Sequence, residues 1–242
     1  MSDSEKQDKT KPADLKKYLD SDYPLLAKFR NIAPGSYNHS KKVAELCEVV
    51  ADELELDSVL MKVCAMYHDI GKMWNPNYFS ENQNGDNPHD SLDPMVSFQI
   101  LSRHVSDTCT ILLTETDIPR EVINIIAQHH GNTVLNGAFI RAENEENENL
   151  YRYKTPVPDN EYSSILMIVD SVEATAKSIA SKMEVPENRI QCVKTTIDRL
   201  REDMQLDEMK VGKLRMIQAK LIRELDSMYH KRIDYDLDVE EN

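Results

Sequence analysis

Through most of this chain apolar residues recur every three or four positions, the spacing of an α-helix that turns one face to a core. The clearest run, Val43, Leu46, Cys47, Val50, Ala51 and Leu54, opens near Asn38, a natural helix cap, and His39 shares its register. Asp57 is placed to cap a second run, Leu60, Val63, Cys64, Tyr67 and His68, which Gly71 is expected to terminate. Leu92, Val96, Ile100 and Leu101 lead into His104, Ser106 or Asp107 is placed to cap a short helix through Leu113, and Pro119 opens a helix reaching His130. Another helix begins around Tyr162 and carries Leu166, Val169, Asp170 and Glu173 toward Ala180, and the stretches 187–204 and 208–231 follow it. Upstream, Ala13 to about Phe29 reads as one helix. The alternation expected of strands is missing, and 6 Gly among 242 residues, with 40% hydrophobic and 30% charged positions, point the same way. The expected fold class is all-α, with a disordered tail at 1–12, a core domain at 13–183 and a C-terminal helical extension at 184–242 that ends in the acidic DYDLDVEEN.

A formal net charge of −14 excludes the broad basic surface that polymeric nucleic acid needs. A small anionic substrate stays open if bound cations supply a local positive field. The start of the chain lacks the apolar centre of a signal peptide, and no stretch approaches the roughly 18 apolar residues of a membrane span. Cys47, Cys64, Cys109 and Cys192 stand singly with no CxxC pair, which suits a reducing, cytoplasmic compartment.

The chemistry lies in where the polar residues interrupt the apolar stripes. His39, His68, His104 and His129 each fall at the end or the beginning of a different helix, in register with its inward face. An apolar core leaves such ring nitrogens unpaired at a cost of roughly 1–3 kcal/mol each, whereas convergence on a cation satisfies them together. Asp69 follows His68, and neighbouring residues on a helix point about 100° apart, so the pair can offer one ligand to a first metal and a carboxylate bridge to a second. The His129-His130 doublet has the same property, and Asp170 lies on the inward face of a fifth helix. Five imidazoles and two carboxylates suffice for two ions, and this mixed set suits Fe, Mn, Co, Ni or Zn better than Mg or Ca. The segment WNPNYFSENQNGDNPHDSLDP, broken by Pro76, Asn84-Gly85 and Asn87-Pro88, is a long loop of the kind that often serves function.

These residues, as NHS at 38–40, HDIGK at 68–72, His104, QHHG at 128–131 and DSVEA at 170–174, resemble the HD-domain phosphohydrolase superfamily. The loop ENQNGDNPHD, the AQHHGN run and RYKTPVP resemble the cytosolic HD domain of the seven-transmembrane receptor HD family, over roughly residues 32–182. The resemblance implies an HD-type helical bundle acting as a metal-dependent phosphodiesterase on cyclic di-AMP, a small nucleotide opened to pApA. It implies that His39, His68, Asp69 and Asp170 hold one metal and that Asp69, His104, His129 and His130 hold the other, Fe or Mn foremost. No protein nucleophile is needed when a water activated between the metals attacks phosphorus. Lys72 is a candidate phosphate contact beside catalytic Asp69, and His89, Arg152 and Tyr153 are candidate substrate contacts; a loop-fixing role competes for His89 and a surface anchor for Arg152 and Tyr153. Three other readings stand beside this one: hydrolysis of a nucleoside mono- or triphosphate or guanosine tetraphosphate, a nucleotide sensor without turnover, and a di-iron oxygenase. The membrane spans of that family are missing here, which fits a stand-alone relative and a piece of a longer chain equally, and the amphipathic extension could pack on the core or support a homodimer.

Overall fold

Four helices start at a proline, where the missing N–H would have had no partner in any case. In the computed structural model, which describes residues 14–142 and 147–230, these are α1 (Pro24–Ile32), α2 (Pro34–Glu53), α4 (Pro94–Ser102) and α9 (Pro186–Glu202). Between and after them come α3 (Ser58–Tyr67), α5 (His104–Glu115), α6 (Arg120–Ile126), α7 (Asn136–Arg141), α8 (Glu161–Ser178) and α10 (Val211–His230). Side chains close several starts: Asp57 accepts from the N–H of Leu60 at 3.0 Å, and Asn160 from that of Ser163 at 3.0 Å. Among the described residues no strand forms, only a single antiparallel bridge between Val134 and Arg152. The molecule is all-α, as expected. The tail at 1–12, the centre of the acidic insertion at 143–146 and the terminal DYDLDVEEN lie outside the described residues.

Several boundaries differ from expectation for local reasons. The segment from Ala13 to Phe29 is not one helix: a 3-10 turn, Leu15–Leu19, ends at Asp20, and Pro24 starts α1 anew because proline cannot continue a helix interior. Asn38 caps nothing, since α2 already begins at Pro34; His39 therefore lies inside α2 and not at its start. The cap comes from the loop, where Asn82 Oδ1 accepts from the N–H of Gly35 at 2.8 Å and of Ser36 at 3.1 Å. Likewise α5 begins at His104, so Ser106 and Asp107 sit in its first turn and do not precede it. Helix α6 ends at Ile126, and His129 and His130 follow in a turn. Gly71 is required for close approach rather than for helix termination: α3 stops at Tyr67, and a Cβ at Gly71 would stand 2.2 Å from the His104 carbonyl oxygen. That contact lets the 3-10 segment Ile70–Trp74 lie directly on α5.

One apolar core joins Phe29, Val43, Met61, Ile111, Ile126 and Leu166. Helix α2 runs through it against α1, α3, α8 and α10. The same core takes in Val193 and Ile197 of α9 and Ile217 and Leu221 of α10. Residues 184–230 are thus packed on the body of the molecule. No described helix is long and apolar enough to cross a membrane.

Candidate metal centre

Five elements deliver the polar cluster to one place. His39 projects from α2, His68 and Asp69 from the end of α3, His104 from the start of α5, His129 and His130 from the turn after α6, and Asp170 from α8. All are buried except His130, which is partly so. Three of the imidazoles share a local device. The Nδ1 of His68, His104 and His129 each meets the carbonyl oxygen three residues earlier, of Ala65, Leu101 and Ile126, at 2.7 Å. A carbonyl only accepts, so each Nδ1 carries a proton and it is Nε2 that each ring turns inward, with a free lone pair wherever the ring is neutral. His39 is oriented in the same sense by Glu173, whose Oε2 lies 2.6 Å from Nδ1.

Those Nε2 atoms face one another, and the neutral His104 and His129 oppose two lone pairs. His104 Nε2 stands 3.4 Å from His129 Nε2 and 3.2 Å from His130 Nε2, and His68 Nε2 is buried without a hydrogen-bond partner. Opposed lone pairs repel unless a cation sits among them, which makes this donor set fit metal ions rather than a hydrogen-bonded core. Three sets of potential ligand atoms each fall within 4.8 Å: His39, His68 and Asp69; His68, His129 and Asp170; and His104, His129 and His130. Asp69 spans the two halves. Its Oδ2 is 3.3 Å from His68 Nε2 and 3.7 Å from His39 Nε2, while Oδ1 is 3.4 Å from His104 Nε2. Asp170 Oδ1 completes the first half, 2.9 Å from His39 Nε2 and 3.6 Å from His68 Nε2.

The charges divide along the same line. Burial opposes the charge of Asp69, but His68 and Lys72 outweigh it and hold the carboxyl well below its usual range. Burial likewise opposes a charged His39, yet bonds to Asp170 and Glu173 lift it to about 9. His68 is lifted to about 10 against the same burial, by Asp69 and Asp170. In the other half burial wins: His129 is pushed down to about 3 by desolvation and by His68 and His104, and His130 and His104 are lowered too. The second half is a set of neutral imidazoles ready to donate, and the first holds protons that a metal would displace.

The cluster floors a cavity of about 480 Å³. Lys72 enters it with Nζ 2.7 Å from Asp69 Oδ2 and 2.8 Å from Glu81 Oε1; both carboxylates outweigh burial and keep the ammonium charged. Tyr153 lines the same wall, its ring stacked on His130 with centroids 4.4 Å apart. The other two candidate substrate contacts stand elsewhere. Arg152, adjacent to Tyr153 in extended backbone, points to the opposite side, where Glu148 and Asp203 pair with it at 2.7 and 2.8 Å. His89 Nε2 lies 2.9 Å from the Tyr78 carbonyl oxygen and its own carbonyl accepts from Arg141, so it fixes the loop and does not line the cavity. Among the cavity residues that escaped the sequence reading as site residues, three meet members of the cluster or Lys72 directly. Glu173 follows Asp170 by three positions on the same helix face, a spacing that was legible; Glu81 and Phe79 arrive from the long loop, where no periodicity points to them.

The comparisons agree with this geometry. The HD domain family model matches residues 36–175. The cyclic-di-AMP phosphodiesterase PgpH of Listeria monocytogenes is 38% identical over 224 residues, covering 88% of this chain, and its Bacillus subtilis namesake is 35% identical over 219 residues, also covering 88%. The chain spans only 30% of the length of each. The crystal structure of the L. monocytogenes PgpH HD domain in complex with cyclic-di-AMP superposes with a TM-score of 0.81 at 36% identity, over 86% of this chain and 98% of that one. With the all-helical architecture and the histidine–aspartate cluster inside the matched segment, the chain belongs to the HD domain family.

Proposed function

We propose that this chain is a metal-dependent phosphodiesterase that opens a cyclic dinucleotide, cyclic di-AMP first among them, to its linear form. The observation that carries the reading is Asp69, whose two carboxylate oxygens face two separate imidazole groups on the floor of a cavity of about 480 Å³. Cavities of roughly 300–1,000 Å³ suit small-molecule ligands. The PgpH proteins are named for this activity, and one solved PgpH HD domain holds cyclic-di-AMP. His39, His68, Asp69 and Asp170 would hold one divalent ion and Asp69, His104, His129 and His130 the other, a nitrogen-rich mixed set suited to Fe or Mn. Bound there, such ions supply an acidified water at neutral pH and offset charge on phosphoryl and leaving oxygens.

The protein's own share is orientation and charge. Asp69 is kept ionised by His68 and Lys72, and so stays available as a ligand to both halves. Lys72, held between Asp69 and Glu81, offers its remaining N–H to a phosphate oxygen over the floor. Tyr153 and Phe79, each with its ring against a histidine of the cluster, shield one side from water. Free cysteines throughout the described chain support a reducing compartment, the cytoplasm.

The test is chromatographic. Purified chain loaded with Mn or Fe is expected to convert cyclic di-AMP to pApA, while Asp69→Ala leaves it intact. Unchanged cyclic di-AMP beside turnover of a nucleoside mono- or triphosphate would move the substrate assignment, and full activity of chelator-stripped protein would overturn the metal mechanism.

A further inference from the structure

The turn that carries His129 and His130 is gripped from outside the segment matched by the family model. At the end of α9 Met204 adopts a left-handed φ of 56°, and the N–H of Gln205 closes onto the Leu200 carbonyl oxygen at 2.9 Å. This helix ending sends the Gln205 side chain inward, to 1% exposure. Its Oε1 accepts from the Asn132 N–H at 3.2 Å, and its Nε2 donates to Asn132 Oδ1 at 2.6 Å and to the Asp203 carbonyl oxygen at 2.7 Å. From the other side Arg152 Nη1 donates to the Asn132 carbonyl oxygen at 2.9 Å, and the same guanidinium is anchored on Asp203. Asn132 is thereby held at its N–H, its side chain and its carbonyl. Beneath it Gly131 takes φ +53°, and a Cβ there would lie 2.2 Å from Gln205 Oε1.

Burying an amide costs free energy that an apolar side chain of similar size would not incur. Directing two of its bonds at one turn residue gains geometry instead. We propose that Gln205 is a positioning residue for the second half of the metal centre: through Asn132 it sets the turn 129–132 so that His129 and His130 meet His104 at ligand distance. Asp203 and Arg152 serve the same clamp, which accounts for an arginine beside the cavity that does not face it. The proposal rests on the two-ion reading above.

The experiment is calorimetric titration of the full metal-stripped chain with Mn²⁺. Wild-type protein is expected to bind in two steps, and the step lost in His130→Ala identifies the second half. Gln205→Ala should weaken that step by about tenfold to a hundredfold, the effect expected of an outer partner of a metal ligand, and leave the other step in place. Arg189→Ala, which removes the ion pair that the buried Arg189 makes with the partly exposed Asp226 between α9 and α10, should lower thermal stability without this selective loss. Asn132→Ala removes the same side-chain bond from the turn side, carries the same expectation, and decides the matter should Gln205→Ala not fold. Equal weakening of both steps, or of neither, overturns the clamp. Absence of Mn²⁺ binding by wild-type protein would instead overturn the metal reading itself.

Discussion

Imidazoles buried side by side lose their hydration and repel through facing lone pairs, so each ring must be oriented by a partner behind it. For three of the five that partner is the backbone of the preceding helical turn, and mutation cannot easily remove it. His39 depends on a side chain, Glu173, 134 positions away. Glu173→Gln keeps an oxygen for the Nδ1 proton but removes the charge, and the first half should bind Mn²⁺ about 10–100-fold more weakly by equilibrium dialysis, with the fold intact by circular dichroism. Lys72 acts differently: two carboxylates fix its position and neither is a hydrogen-bond donor. Lys72→Met is expected to lower single-turnover hydrolysis by about 10²–10³-fold, the loss typical of one preorganised donor, with two metals still present by elemental analysis. A metal content that falls in parallel would show that Lys72 serves Asp69 rather than the phosphate.

The elements owe their placement to a few close approaches. Gly71 admits the His104 carbonyl and Thr108 of α5, so the HDIG segment and the helix that begins at His104 lie in van der Waals contact. Gly71→Ala must push them apart; a loss of about 1–3 kcal/mol in chemical denaturation is expected from overpacking, together with weaker metal binding because His68 and His104 separate. The long loop acts as an element in its own right, four 3-10 turns between Ile70 and Ser91. Asn82 caps α2 from within it, and Glu81, its neighbour, receives Lys72 and the Ser36 hydroxyl. A loop that closes a helix start and shapes the cavity in consecutive residues couples local order to the site.

For the molecule as a body, the helices after Met183 complete the core rather than hang from it. Cutting the chain after Ser181 would expose the faces of α2 and α8 that α9 and α10 now cover, and the shortened protein is expected to lose its cooperative thermal transition and to aggregate in size-exclusion chromatography. A folded, monomeric 1–181 fragment would refute that dependence. Val193, Ile197, Ile217 and Leu221, from the apolar stripes of α9 and α10, are buried within the chain itself.

Helical period, the aspartate start at Asp57 and the seven candidate ligands were readable along the chain, because periodicity and capping act over three or four residues and His39, His68, His104 and His129 fall in register with apolar stripes. Asp57 and the helices 187–204 and 208–231 were readable for that reason, the last two to within a few residues. The break at Pro24, the cap that Asn82 lends to α2 and the opposed directions of Arg152 and Tyr153 were not, since a helix start can be closed by any donor or acceptor the fold brings near. Nor was the second layer: the pairing of Glu173, whose place on the Asp170 face was readable, with His39, and the placing of Glu81 behind Lys72 and of Gln205 behind the His129-His130 turn. Their partners lie between 9 and 134 positions away in sequence. Such contacts are matters of three-dimensional proximity, which folding of the whole core alone creates.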